Sequence, residues 1–187
     1  MRARCWREPA GPPQGEFRRL QHEGSPASGR VWRLPAEVDT DQLAPGATMK
    51  SGIEVTARHC LESVRPDFAR GVRRGDVIVA GAHFGIGSSR EQAASVLMHL
   101  GVVAVVAPSF AGLYFRNAFN VGLLLLSCAR AGEIADGEGI TFDARAGSVT
   151  RANGTVLPCD TIPGFLLDMV EAGGLLPQLK QRLERRP

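Results

Sequence analysis

The sequence predicts an α/β fold, a mixed sheet flanked by helices, with a small β-meander near the C-terminus. Three observations carry that expectation. Short apolar runs at Val77 to Ala80, Val102 to Ala107 and Gly122 to Leu126 read as strands buried on both faces. Segments of helical character stand between them, which is the pattern of βαβ crossovers. Residues 139–142 and 154–157 read as shorter strands joined by glycine-containing turns, the signature of a meander.

Taken in order, residues 1–29 are rich in Pro, Gly and Arg without periodicity. They are expected to be disordered or loosely attached, which leaves 30–187 as the folded domain. Val31-Trp32 signals a first short strand, and Asp39-Thr40-Asp41 and Pro45-Gly46 mark turns. Residues 53–70 read as one helix ending at Gly71, with basic residues near its end. Asp76 opens the strand that stops at Gly81. A loop from Gly81 to Gly87 leads into a helix from about Ser89 to Leu100, ended by Gly101. Pro108-Ser109 reads as the cap of another helix running to about Asn120. Pro163 starts a final helical region that Gly173-Gly174 breaks in two.

Composition narrows the function classes. At 187 residues and 44% hydrophobic, the chain can bury one real core. Its net charge of +3 sits on its ends: residues 1–33 hold seven Arg against three Glu, and residues 180–187 hold four basic groups against one acid. The body between is net negative, whereas a nucleic-acid binder carries a basic face on its folded part. No nucleic-acid partner is expected. Cys5, Cys60, Cys128 and Cys159 include no C-x-x-C pair, so they read as reduced, mostly buried thiols. No apolar run approaches the roughly 18–20 residues that span a bilayer. The N-terminus lacks a hydrophobic signal stretch, and Glu8, Glu16 and Glu23 interrupt its Arg-rich pattern. A cytoplasmic protein with no membrane contact is expected.

The densest candidate site is Gly85-Ile86-Gly87-Ser88-Ser89-Arg90-Glu91, between a buried strand and a helix. A dinucleotide fingerprint fails here, because its third glycine would fall at Arg90 and no acid follows some twenty residues on. A phosphate-binding P-loop fails too, lacking the Lys-Ser/Thr pair. Two readings stay open. Ser88-x-x-Glu91 is a capping box, a common device at helix starts. Alternatively the loop is an anion site: glycines admit a ligand to the backbone, a helix N-terminus offers free N–H groups, and Arg90 adds a forked donor. A serine hydroxyl held there could act as an alkoxide. These arguments favour binding of carboxylate or phosphate and name no reaction.

His83-Phe84-Gly85-x-Gly87-Ser88-Ser89-Arg90-Glu91 resembles the N-F-G-x-G-S-S-R-E loop of the aconitase superfamily's swivelling domain. Four flanking elements agree in order and spacing. Asp39-Thr40-Asp41-Gln42 with Pro45 resembles I-D-T-D-x-I-x-P, and Gly75 to Gly81 resembles G-D-I-I-V-A-G. Ser109-Phe110-Ala111 with Arg116-Asn117 resembles S-F-A-R-I-F-Y-R-N, and Glu171-Ala172-Gly173-Gly174-Leu175 resembles the terminus of small subunits such as those of 3-isopropylmalate dehydratase. The resemblance covers about residues 30–180. It implies a hydro-lyase that isomerises a 2-hydroxy di- or tricarboxylate, with Ser88 as the base. Ser89, Arg90 and Gly87 would bind the substrate carboxylate, and Asp41 would hold the basic groups of the site. An Asx-type turn is the competing role for Asp41 and the favoured one for Asp39. Arg116 and Asn117 read as structural.

Four positions depart from the pattern. Ile86, Gln92 and Gly112 stand where many members have Cys, His and Arg, and His83 replaces Asn as a polar loop residue. Gly112 would alter packing or a subunit contact. After Pro45-Gly46, members acting on isopropylmalate tend to read P-G-x-Y-L-V and those acting on homoaconitate P-G-x-Y-L-R. Here Lys50 stands at that position, which makes it a candidate reader of the substrate's side group. The family's 4Fe-4S cluster needs three cysteines, two of them in C-x-x-C, and this chain has no such set. The resemblance therefore implies a separate large, cluster-bearing subunit, joined in a heterodimer or heterotetramer. Homoaconitase- or dimethylmalate-type dehydration and a non-catalytic carboxylate-binding module are the alternatives.

Overall fold

The computed structural model describes residues 27–184, so the expectation for residues 1–26 lies outside the described residues. The chain runs β1 (Ala27–Arg33), α1 (Thr40–Leu43), a 3₁₀ turn (Met49–Ser51), α2 (Ile53–Arg58), α3 (Phe68–Gly71), β2 (Val77–Val79), α4 (Gln92–His99) and β3 (Ala104–Ala107). There follow α5 (Gly112–Val121), β4 (Leu124–Ser127), a second 3₁₀ turn (Ala131–Glu133), β5 (Gly139–Asp143), β6 (Ser148–Thr150), β7 (Val156–Pro158), α6 (Gly164–Glu171) and α7 (Leu175–Glu184).

The strands form one seven-stranded sheet in the order β4-β3-β2-β1-β5-β6-β7. β1 to β4 pair in parallel, with Val31 opposite Val77, Val77 opposite Ala104 and Ala104 opposite Leu124. β2 and β3 are apolar and buried along their whole length, as strands covered on both faces are, whereas β1 carries Ser28, Arg30 and Arg33 and β4 ends in Ser127. β5, β6 and β7 pair antiparallel, and their buried residues alternate with exposed ones because one face meets water. The expected meander is thus present with a third strand, β6. Only Val149 of that strand is buried, too little for a periodicity to register.

β1 joins the two halves and begins at Ala27, inside the stretch expected to be loose. Its first residues, Ala27 to Arg30, pair with β5 more than a hundred positions downstream, a partner that local pattern does not disclose. Trp32 anchors it: the indole N–H donates to Asp76 at 2.7 Å, Phe68 meets the ring edge-on, and the Arg30 and Arg65 guanidiniums lie 4.7 and 4.8 Å from its centroid. The sheet curls so that the segment after β7 reaches the end of β4, where the Asp160 N–H donates to Ser127 O at 2.8 Å.

The single helix expected over 53–70 is two short ones. Pro66 lacks the N–H that a continuing helix needs, and Leu61 turns at φ +59 so that its N–H reaches Gln42 O at 2.7 Å. Ser109 does not cap α5; that position falls to Ala111, and the Ser109 hydroxyl accepts the His83 N–H at 2.9 Å. The break at Gly173-Gly174 lies against the end of α5. A Cβ on Gly174 would stand 2.5 Å from Asn120 O, so the close approach of two backbones dictates the residue.

Candidate active site

The loop between β2 and α4 is held from below by aromatic rings. Phe84 is buried and meets Tyr114 and Phe110 edge-on, at 5.3 and 6.3 Å between centroids. Its N–H donates to Ser109 O, and its carbonyl accepts from Ala111 N. Gly85 follows at φ +81 and packs closely against Tyr114: a Cβ there would lie 2.2 Å from Tyr114 Cγ. Gly87 also has positive φ, +97, and a Cβ would come within 3.2 Å of the Thr40 hydroxyl. The chain then emerges with Gly87, Ser88 and Ser89 exposed.

Helix α1 holds the loop from the side. Thr40 N–H donates to Ile86 O at 2.9 Å and the Thr40 hydroxyl to Ser88 O at 3.0 Å. Arg90 is half-buried, and its Nη1 donates both to the Asp41 carboxylate and to Ala44 O. Hydrogen bonding from Arg90 is the largest influence on the Asp41 carboxyl and holds it below the usual carboxylate range. α1 itself is short and would fray without its cap. Asp39 accepts from Gln42 N at 2.7 Å while Gln42 Oε1 accepts from Asp39 N at 2.9 Å, a complete capping box. The box read at Ser88 and Glu91 is absent: α4 begins at Gln92 and its first turn has no side-chain cap. Asp39 is therefore the cap, and the Ser88 hydroxyl is free of that task.

Asp41, Gly87, Ser88, Ser89 and Arg90 thus come together on one surface. The amides of Gly87, Ser88 and Ser89 and both serine hydroxyls have no hydrogen-bond partner among the described residues, nor do Nε and Nη2 of Arg90. Unpartnered donors beside a fixed guanidinium suit an anion with planar oxygens. Lys50 lies on the first 3₁₀ turn, exposed and without a side-chain partner among the described residues. Its loop reaches the site through Gly46, where a Cβ would lie 3.8 Å from Arg90 Nη2. Sequence reasoning missed Thr40, Ala44 and Gly46. Thr40 stood between two aspartates in an evident turn, and backbone contacts leave no residue-type signal.

Arg116 is exposed on α5 and Asn117 turns inward. A Cβ at Gly112 would touch nothing, so glycine there leaves the packing of this chain unchanged. Among the described residues no three His, Cys, Asp or Glu side chains are grouped to hold a metal ion. Cys60 and Cys128 are buried, and burial pushes the Cys60 thiol up. Burial, then Cys128 alongside, pushes the Cys159 thiol up to about 12. These thiols do not fit an iron–sulfur cluster, which takes thiolates.

The family model for the aconitase C-terminal domain matches residues 47–131. A 3-isopropylmalate dehydratase small subunit of Archaeoglobus fulgidus is 39% identical over 159 residues, covering 84% of this chain and 99% of the relative. The chain belongs to the aconitase family. Within that family its relatives are small subunits. The methanogen homoaconitase small subunit of Methanothermobacter thermautotrophicus is 41% identical over 79% of this chain and 87% of its own length. The crystal structure of a 3-isopropylmalate dehydratase from Methanocaldococcus jannaschii superposes with a TM-score of 0.79 at 37% identity, covering 84% of this chain and 95% of that one. An aconitase-family small subunit has a large-subunit partner by definition of its kind, and the fold is that of its solved relative.

Proposed function

We propose that this chain supplies the base and the carboxylate clamp of a two-subunit hydro-lyase that isomerises a 2-hydroxy diacid such as 3-isopropylmalate. In this reading Ser88, as alkoxide, takes the proton from the carbon beside a carboxylate, the C–H electron pair forms the carbon–carbon double bond, and the hydroxyl of the neighbouring carbon departs with a solvent proton as water. Water returns with the positions exchanged. The exposed amides around Ser88 and the Arg90 charge favour the anionic oxygen. Ser89 and the free nitrogens of Arg90 grip the carboxylate, Gly87 lets it approach the backbone, and Asp41 keeps the fork aimed. One observation carries the reading: Arg90 is pinned through a single nitrogen, with the rest of its fork free beside two unpartnered serine hydroxyls.

The donor set of the described residues does not suit the cluster, so the 4Fe-4S group is assigned to the large subunit, where it would supply a Lewis acid for the departing hydroxyl. Buried free thiols fit a reducing, cytoplasmic compartment. Among the described residues no helix is long and apolar enough to cross a membrane.

Lys50 favours a second substrate, one with an additional carboxylate, as in homoaconitate. An ammonium facing an isopropyl group would lose hydration without a partner, whereas facing a carboxylate it gains a charge-assisted hydrogen bond. Two measurements test these readings. With the large subunit present, Ser88→Ala should abolish turnover while substrate still binds; a near-normal rate would remove Ser88 from the base role. Lys50→Val should shift the ratio of kcat/KM for 3-isopropylmalate over a tricarboxylate analogue toward isopropylmalate, and an unchanged ratio would show that Lys50 does not read the side group.

A further inference from the structure

Thr40 lies outside the serine loop, and its side chain is buried to 1% exposure. Two of its groups hold the loop on either side of Gly87: the N–H holds Ile86 O, and the hydroxyl holds Ser88 O. The Ser88 carbonyl takes a second hydrogen bond from Arg90 N at 2.8 Å, but that bond is internal to the loop and travels with it. Among the described residues the Thr40 hydroxyl is the one side chain that ties Ser88 to the rest of the domain. Gly87, between the two tethered carbonyls, is at φ +97 and offers no side-chain resistance to rotation.

From this geometry we infer that Thr40 is a positioning residue for Ser88. Fixing the Ser88 carbonyl fixes the plane of the peptide joining Ser88 to Ser89. That plane sets where the Ser89 N–H points and, through the Ser88 backbone, the direction of its Cα–Cβ bond. The residue is buried, so its γ-methyl is shielded from water, while its hydroxyl is committed to the loop, and the two halves of one side chain have separable tasks. Packing belongs to the methyl, and aim belongs to the hydroxyl. The inference rests on the reading of Ser88 as the base.

Separable tasks give a crossed result that a merely structural residue cannot give. Thr40→Val keeps the methyl and removes the hydroxyl; Thr40→Ser does the reverse. Each variant is combined with the large subunit, and kcat and KM for 3-isopropylmalate are measured beside the thermal midpoint of the small subunit alone. Thr40→Val should lower kcat by roughly a hundredfold, the scale of a 1 Å misplacement of a reacting group, with KM little changed. Thr40→Ser should keep a kcat near wild type although its midpoint falls. If Thr40→Val does not fold, Thr40→Ala takes its place under the same criterion against Thr40→Ser. A kcat for the hydroxyl-free variant equal to wild type, or a loss in Thr40→Ser as large as in Thr40→Val, overturns the inference. Ser88→Ala, measured alongside, separates the two failures. An active Ser88→Ala removes the base reading itself, whereas an inactive Ser88→Ala with a normal Thr40→Val removes only Thr40.

Discussion

Arg90 spends one nitrogen on the protein and keeps the rest for solvent and ligand. Nη1 bridges Asp41 and Ala44 O, so the guanidinium plane is set before any substrate arrives. An ammonium has no second nitrogen in a fixed plane, and it cannot both hold this bridge and present a fork. Arg90→Lys should therefore raise KM for the diacid by roughly tenfold or more, the value of about one charge-assisted bond. Steady-state kinetics with the large subunit checks it. A second residue-scale prediction concerns Tyr114, whose ring supports Gly85 but whose hydroxyl is buried without a hydrogen-bond partner. A buried, unpaired hydroxyl carries its desolvation cost for nothing. Tyr114→Phe keeps the ring, so denaturant unfolding should show a gain of about 1 kcal/mol.

At the scale of elements, the two loop glycines answer different demands, and substituting them should separate stability from activity. Gly85→Ala drives a methyl into the Tyr114 ring at positive φ and should cost about 3 kcal/mol or more. Gly87→Ala is exposed, with the Thr40 hydroxyl at 3.2 Å as its nearest contact and Asp39 Cβ and Thr40 N at 3.8 Å. It should cost about 1–2 kcal/mol, the strain of a left-handed alanine, while disturbing turnover. Urea titration beside kinetics checks both. These elements also show what a sequence displays of a fold. Strands β2, β3 and β4 are legible because burial writes a continuous apolar run. The pairing of Ala27 to Arg30 with β5 is not, because nothing local to those residues encodes a partner so far along the chain. At the site, Ser88, Ser89 and Arg90 stand out by type and spacing, whereas Asp41 is pointed to by the family resemblance alone. That the capping box lies at Asp39 and Gln42 on α1, and that none forms at Ser88 and Glu91, depends on where the helices begin: α4 starts three residues later than expected, at Gln92.

Across the whole molecule, β1 is the joint between the parallel half and the meander, and one ion-pair network spans it. Arg65, from the crossover before β2, meets Asp136 in a two-pronged pair at 2.9 Å for each prong. Asp136 also accepts the Arg33 N–H at 2.8 Å. Hydrogen bonding from Arg65 is the main cause of an Asp136 carboxyl held below its ordinary value. A carboxyl depressed in the folded state stabilises the fold above its unfolded value of about 3.9. That contribution is lost as pH falls through the lower folded value. The pair is partly exposed, so its share of the total stability is modest. Its pH signature is nonetheless distinctive. Asp136→Asn removes the titrating group and half of the fork, and the variant should unfold more easily than wild type at pH 7. Below about pH 4 the wild type protonates Asp136 on unfolding and the gap between the two proteins should narrow, closing once the folded carboxyl is itself protonated. Urea unfolding of both proteins from pH 7 to pH 2 makes the comparison. A gap that stayed constant down to pH 2 would mean that Asp136 acts at this joint through shape and neutral hydrogen bonds, with no part played by its charge.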